Sequence, residues 1–304
     1  METSEKLIYL GRLQKEYTKK GEKKYFIFQY LNGAGNELGA KFWSPISSSR
    51  MAFELYSPLA WDKKVVDFEF EYQLPPMASG GMGPNMDVYI ETEDEYIFVE
   101  SKFTEKADLN YIKREKLSNS NLSPAYYLKD DYGSRKPLSL KERFWGNEYA
   151  ERFSSFCWDW QDVLDEHPGW KKTVDWFDPK QETCHLSGLL AHFFKSPELL
   201  RQKKTVRLYN IYWDFGNEGE SEMEQEFLRR ANRLIQETKE ANNHIFGDVD
   251  FKMGAFSVQR MIANPHLLSR HIDGFGADVK QRMEQFENVA KGKTRKDFKN
   301  DSKK

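Results

Sequence analysis

The chain is poor in cysteine and in long apolar runs. Its 304 residues include only two cysteines, Cys157 and Cys184, which lie in different segments without CxxC spacing. This scarcity excludes a disulfide scaffold and favours a reducing cytoplasm. No apolar run approaches the roughly 18 residues of a membrane-spanning helix, and the polar first five residues do not resemble a signal peptide. We therefore expect a cytoplasmic protein with no membrane partner.

The chain also lacks an excess of charge of either sign. Its 46 basic and 48 acidic residues leave a formal net charge of −2. A protein without a global basic field is not expected to coat nucleic acid, although a locally basic cleft needs no basic total. Hydrophobic residues make up 39% of the chain, which is enough to form a substantial core in one large or two modest domains.

Several catalytic motifs are absent as well. The sequence contains no Gly-rich phosphate loop, no GxSxG elbow and no HExxH helix, so nothing supports another hydrolase class built on a carboxylate pair. A zinc site would need three or four ligands. Cys184, His185 and His192 have no further ligand at suitable spacing, and we interpret them as core or helix-surface residues.

What the chain does contain is a predicted hairpin that brings acidic residues together. Residues 84–91 and 96–103 are rich in β-branched and aromatic side chains, and a charged stretch between them marks a turn. A turn centred between Glu93 and Asp94 pairs Ile90 with Ile97, Val88 with Val99, and Asp87 with Glu100. Carboxylates that face each other across a ladder repel and destabilise it. A bound divalent cation would remove that penalty.

Such a pair suits metal-assisted hydrolysis of a phosphodiester. The reaction needs a nucleophilic water, stabilised phosphoryl oxygens and a neutralised leaving group, and one or two Mg²⁺ ions meet these needs. We expect Asp87, Glu100 and the backbone carbonyl of Ser101 to bind Mg²⁺, with Mn²⁺ as a substitute. Lys102 shares the face of Glu100, where its ammonium either orients the water, stabilises the developing charge or only neutralises the acids.

The bland alternative is an edge hairpin with a solvated acidic face. Tyr89 and Phe98 share that face, which is an unusual composition for a purely solvated surface.

Asp87, followed by Glu100-Ser101-Lys102, resembles the D…(D/E)xK signature of the PD-(D/E)xK nuclease superfamily, the restriction-endonuclease-like enzymes. The spacing and the strand context match, but the Pro-Asp dipeptide does not, because Pro84 precedes the acid by three positions. Other Glu-x-Lys copies, at 22–24 and 237–239, lie in polar segments without a partner Asp. The resemblance implies DNA as the substrate, a restriction-type endonuclease acting in defence, and a homodimer that cuts both strands.

The resemblance also implies supporting residues. A Glu from the first helix often joins the metal shell in this family, and Glu54 is the sole acid in the largely apolar stretch 51–60. A buried lone carboxylate must meet a cation or a donor, so Glu54 is the candidate and Glu37 the alternative. Some members carry a helical Gln near the site. This points to Gln181, whose alternative role is that of a solvated residue at a helix start.

Periodicity and capping signals predict the order helix, strand, strand, strand, helix, strand. The resemblance implies that this is a restriction-endonuclease-like αβββαβ core, an α/β fold with a mixed central sheet flanked by helices. We expect a single nuclease domain over 1–290 and a basic disordered tail over 291–304. The domain would have its core at about 34–104 and 180–264, with a large Trp-rich helical insertion at about 105–180.

Two further expectations concern the ends of this pattern. The aromatic stretch 25–30 is predicted to form a strand or a packed arm. Helices are predicted at about 221–242 and 276–290, with a strand and helix over 249–264.

A non-catalytic module that binds nucleic acid or protein on the same fold is the alternative function. The complete set of Asp87, Glu100 and Lys102 disfavours it, because a pure binding protein has no need of these residues.

Overall fold

The computed structural model describes residues 3–33, 37–38, 42–44, 47–75, 83–103, 147–170, 177–214 and 221–292. The described strands are β1 (Glu16–Lys19), β2 (Glu22–Tyr25), β3 (Val65–Gln73), β4 (Asn85–Thr92), β5 (Glu95–Lys102), β6 (Thr205–Tyr212) and β7 (Asp250–Ser257). The described helices are α1 (Thr3–Leu13), α2 (Phe26–Asn32), α3 (Ser48–Tyr56), α4 (Asn147–Glu166), α5 (Pro179–Lys195), α6 (Glu222–Ala241), α7 (Asn243–Phe246), α8 (Val258–Ala263) and α9 (Ala277–Gly292). Short 3-10 helices occupy Ser57–Trp61, Pro197–Leu200 and Pro265–Leu267.

A five-stranded mixed sheet forms the centre of the molecule. Its spatial order is β3-β4-β5-β6-β7, while β1 and β2 form a separate antiparallel pair. The pairs β3–β4 and β4–β5 are antiparallel, whereas β5–β6 and β6–β7 are parallel. Parallel neighbours need a long crossover, and the connection from β5 to β6 carries α4 and α5. The fold is therefore α/β, with helices on both faces of the sheet.

Alternation along β5 divides the core into two layers. Phe98 points into the layer that holds α4, α5 and α6, while Val99 points into the layer that holds α3, α8 and α9. Side chains two residues apart on a strand share a face. Glu100 and Lys102 therefore lie on the face of Phe98, under α5.

The predicted order of core elements is confirmed, in the form α3, β3, β4, β5, α5 and β6. The later predictions are confirmed as α6, β7 with α8, and α9. The stretch 25–30 is not a strand, because only Tyr25 belongs to β2 and the rest begins α2. Phe26 and Tyr30 lie one helical turn apart, and both are buried with their rings against Phe70 at centroid distances of 5.4 and 5.1 Å.

The predicted insertion contributes to the same core. Its described helix, α4, buries Trp160 completely in the core layer that also holds α5 and α6. Residues 104–146 and 171–176 of this segment, and 293–304 of the predicted tail, lie outside the described residues.

Side chains close both edges of the central sheet. At β3, Tyr17 Oη donates a hydrogen bond to the carbonyl oxygen of Phe68 at 2.7 Å. At β7, the amide of Asn232 bonds both backbone groups of Met253, at 2.8 and 2.9 Å. These contacts occupy backbone groups that an added strand would need, so they oppose assembly by strand addition at these positions.

Within the part of the chain that the structure describes, no helix combines the length and the apolar character that crossing a bilayer requires.

Candidate active site

The β4–β5 hairpin has the predicted register near the acidic residues. Val88 pairs with Val99 and Ile90 pairs with Ile97. This ladder ends at Val88, while β4 continues alongside β3 to Asn85. Pairing between β4 and β5 therefore starts at Val88, and Asp87, the residue before it in the chain, lies where the two strands have separated.

The Asp87 carboxylate stands in the gap between the separating strands. Its Oδ2 accepts a hydrogen bond from the backbone N–H of Ser101 at 2.6 Å, where a backbone carbonyl of β4 would otherwise be expected. Asp87 and Glu100 are thus neighbours, although they are not members of the ladder. The N–H and C=O of one strand residue point to the same side, so the carbonyl of Ser101 also faces the β4 side.

Electrostatics at Asp87 disfavour its charged form. Burial raises the pKa of the Asp87 carboxyl well above its ordinary value, and the negative charges of Glu100 and Glu71 raise it further. The positive charge of Lys102 and the Ser101 N–H oppose this shift without cancelling it. The charge of Glu100 thus acts on Asp87 in the direction that the sequence predicts.

Glu100, Lys102 and Gln181 form a closed hydrogen-bonded triangle. Lys102 Nζ donates to Glu100 Oε1 at 2.6 Å and to Gln181 Oε1 at 2.8 Å. Gln181 Nε2 donates to the same Glu100 oxygen at 2.7 Å. Glu100 is buried, whereas Lys102 and Gln181 are half-buried. The structure thus brings Gln181 to the two residues that it was expected to support.

The start of α5 fixes the place of Gln181. Asp178 caps the helix, and its Oδ1 accepts hydrogen bonds from the backbone N–H groups of Lys180 and Gln181, both at 3.0 Å. Pro179 occupies the first helical turn, where its fixed φ angle is compatible with the helix and its missing N–H costs nothing. The Gln181 side chain therefore projects from a rigid helix start toward β5.

Glu54, which was expected to complete a metal shell, forms its ion pairs with two arginines, and its role in a metal shell stays a prediction. Its two oxygens accept hydrogen bonds from Arg12 Nη1 and Nη2 at 2.6 and 2.9 Å, and Arg282 Nε lies 2.7 Å from Oε2. The buried carboxylate does meet cations, as its burial requires, but these are guanidinium groups of α1 and α9. The alternative, Glu37, accepts a hydrogen bond from Ser49 Oγ at 2.6 Å.

Three buried polar residues lie behind Glu100: His185, which was interpreted as a core or helix-surface residue, and Glu182 and Asn210, and the sequence did not predict that they lie beside the site. His185 Nε2 lies 3.7 Å from Glu100 Oε2, and His185 Nδ1 lies 3.9 Å from Glu182 Oε2. Glu182 Oε1 accepts a hydrogen bond from Asn210 Nδ2 at 2.7 Å. Each of these three residues is at most 2% exposed to solvent.

Two sequence signals point to these residues in retrospect. Gln181 and His185 are four residues apart, so they share one face of a helix. Asn210 is the one amide in the apolar strand β6, and it is the register partner of Glu100 across the β5–β6 pair. The spacing and the lone amide are visible in the sequence, but the register that joins them is not.

The carboxylates around His185 outweigh the effect of burial on its pKa. Burial alone would lower the pKa of His185, but the carboxylates of Glu100 and Glu182 raise it above its ordinary value. Burial also raises the pKa of Glu182.

The donor set at Asp87 and Glu100 suits a small divalent cation. It consists of two carboxylates and a strand carbonyl, all hard oxygen ligands, and Mg²⁺ retains several waters and needs few protein ligands. Within the described residues, no group of three or more His, Cys, Asp or Glu side chains is arranged to hold a metal ion. The candidate site is thus a carboxylate pair.

Comparison with family models found no match, and neither curated proteins nor solved structures matched the chain.

Proposed function

We propose that the protein is a Mg²⁺-dependent endodeoxyribonuclease with a restriction-endonuclease-like core. One observation carries the proposal: where β4 and β5 separate, Asp87 Oδ2 accepts a hydrogen bond from the N–H of Ser101, the chain neighbour of Glu100, and Lys102 is bonded to Glu100. The order of α3, β3 to β5, α5 and β6 supports the proposed core. DNA as the substrate, a role in defence and a homodimer are parts of the proposal that rest on the resemblance of the signature.

Each residue of the site has a distinct role in the proposed reaction. Asp87, Glu100 and the carbonyl of Ser101 would hold the cation. When bound, the cation would stabilise charge on the phosphoryl oxygens and make a water more acidic. Lys102 is held beside Glu100 by its two hydrogen bonds. Its ammonium would therefore be in place to orient the attacking water or to stabilise negative charge on the phosphoryl oxygens.

Gln181 keeps this arrangement rigid. It donates to Glu100 and accepts from Lys102, so both side chains are fixed relative to each other before substrate arrives. Preorganised donors are worth more than mobile ones, because no reorganisation is needed at the moment of reaction.

A cleavage assay tests the proposal and defines the substrate. Purified protein is incubated with supercoiled plasmid, linear duplex, single-stranded DNA and RNA, with and without Mg²⁺. We expect nicking or linearisation of the plasmid with Mg²⁺ or Mn²⁺, and binding without cleavage with Ca²⁺. Turnover in a chelator-treated preparation would contradict the metal-dependent mechanism.

The Glu-x-Lys segment of α6 provides a matched control. Glu100→Ala is expected to abolish cleavage, while Glu237→Ala, in the same three-residue pattern on a helix where Glu237 pairs with Arg233 at 2.8 Å, is expected to leave it intact. Equal activity of the two variants would remove the catalytic assignment of Glu100.

A further inference from the structure

A chain of buried polar groups leads from Glu100 into the sheet. On one side of Glu100, Lys102 and Gln181 both bind Oε1. On the other side, Oε2 faces Nε2 of His185 at 3.7 Å. The Glu100 carboxylate therefore lies between two residues of its own site and the imidazole of His185.

The imidazole is itself bounded by a second carboxylate. His185 Nδ1 faces Glu182 Oε2 at 3.9 Å, and Glu182 is bonded in turn to Asn210 of β6. Because β6 is the parallel neighbour of β5, Asn210 lies beside Glu100 in the sheet. The polar chain thus runs from β5 to α5 and on to β6, and it connects these three elements around Glu100.

Stability alone does not account for this chain. His185 Nδ1, Glu182 Oε2 and Asn210 Oδ1 are buried and have no hydrogen-bond partner within the described part of the molecule. Unsatisfied buried polar atoms are rare and each costs stability. Well-packed apolar residues commonly serve a core as well as a buried ion pair does, or better. A polar chain that ends on a site carboxylate points to a role at the site.

We propose that His185 is a positioning residue that fixes the orientation of Glu100 for the divalent cation, with Glu182 and Asn210 fixing the imidazole. This inference rests on the proposed function. Residues that orient metal ligands without touching the metal are a common requirement of metal sites, and their loss typically lowers metal affinity by about 10 to 100-fold. Lys102 and Gln181 fix one oxygen of Glu100, and His185 restrains the side that carries the other.

The test is a titration of Mn²⁺ into the full-length protein and its variants. His185→Phe keeps a ring of similar size but removes both nitrogens, and we expect Mn²⁺ affinity to fall by about 10 to 100-fold. The kcat of plasmid cleavage should fall with it, while the KM for DNA changes little. His185→Gln, which retains a donor, should restore part of the Mn²⁺ affinity.

His192→Phe is the matched control. His192 lies on the same helix, but its ring packs near that of Tyr72, with a distance of 6.3 Å between the ring centroids. It should bind Mn²⁺ like the wild type. Glu182→Gln provides a second variant in case His185→Phe does not fold, and it should weaken Mn²⁺ binding in the same direction by a smaller factor.

The outcomes separate this inference from the proposed function. Wild-type protein that neither binds Mn²⁺ nor cleaves DNA would overturn both. Normal wild-type binding and cleavage, with unchanged Mn²⁺ affinity in His185→Phe or in Glu182→Gln, would overturn the positioning role alone. A nitrogen coupling in the pulsed electron paramagnetic resonance spectrum of bound Mn²⁺ that disappears in His185→Phe would also overturn it, because His185 would then be a direct ligand.

Discussion

The two ends of the β4–β5 hairpin carry buried or half-buried acids in opposite electrostatic situations. Near the turn, Glu91 accepts a hydrogen bond from Lys20 at 2.6 Å and from Tyr89 at 2.7 Å, and it pairs with Lys203 at 2.8 Å. Burial alone would raise the pKa of Glu91, but these partners hold it below its ordinary value. At the open end, burial and the charge of Glu100 raise the pKa of Asp87.

The difference shows that burial of a carboxylate does not by itself mark a functional site. Glu91 and Glu54 are both buried, and both are neutralised by nearby cations. At Asp87, the positive charge of Lys102 does not cancel the effects of burial and of the Glu100 charge. Groups whose protonation is strongly perturbed in this way are frequent at active sites. A bound cation would therefore stabilise the charged carboxylates at the open end, whereas Glu91 at the turn end already has cationic partners.

The largest expected effect is on cleavage activity, which a substitution at the open end should reduce and one at the turn end should not. Lys102→Ala should reduce Mg²⁺-dependent cleavage by about 1000-fold, because it removes the ammonium that is proposed to orient water or to stabilise charge. DNA binding should remain near normal. Lys203→Ala, which removes a buried ammonium at the turn end, should leave cleavage by the folded protein intact. Plasmid cleavage rates and DNA affinities of the two variants measure the contrast, and a similar loss of cleavage in both would break it.

The next effect separates the ends by stability. Glu91→Ala leaves the buried ammonium of Lys203 without its carboxylate, and breaking a buried pair in this way costs about 3 kcal/mol. We expect a clear drop in the midpoint of urea denaturation. A change below about 0.5 kcal/mol, which is typical of ordinary surface substitutions, would show that the turn-end pair does not have the proposed structural role.

The smallest effect has the opposite sign. Because the pKa of Asp87 is raised in the folded state, the native metal-free protein binds a proton there more tightly than the unfolded chain does. Its stability should therefore fall as pH rises above the unfolded pKa of about 4. Asp87→Asn should remove this loss and stabilise the metal-free protein at pH 7 by about 1 kcal/mol. Urea denaturation at several pH values measures it, and destabilisation by Asp87→Asn would contradict the repulsion.

Glu91 should show the reverse pH dependence. Its pKa is lowered in the folded state, so its contribution is present above the unfolded pKa and is lost as pH falls through the folded pKa. If Asp87 and Glu91 make opposite contributions to the change of unfolding free energy with pH, the comparison of the two ends becomes sharper.

The hairpin register was predictable because two local signals agree. Alternating β-branched and aromatic residues set the strands, and a charged turn sets which residues face each other. The departure of β4 before Asp87 was not predictable, since it depends on a carboxylate replacing a backbone acceptor for the Ser101 N–H.

The side-chain contacts of the site residues could not be predicted where the contacting residues lie far apart in the sequence. The sequence indicates that Glu54 needs a cation but not which one, because Arg12 and Arg282 reach it from opposite ends of the chain. The polar chain behind Glu100 depends likewise on α5 packing over β6, which brings Glu182 to Asn210.

The most direct test of the central claim is calorimetric titration of Mn²⁺ into the wild-type protein and Asp87→Asn at neutral pH. If the two carboxylates share a cation, the wild type should bind Mn²⁺ and the variant should bind it at least about tenfold more weakly, because one ligand charge is lost. Equal affinity in the two proteins, or no binding to the wild type, would contradict the account.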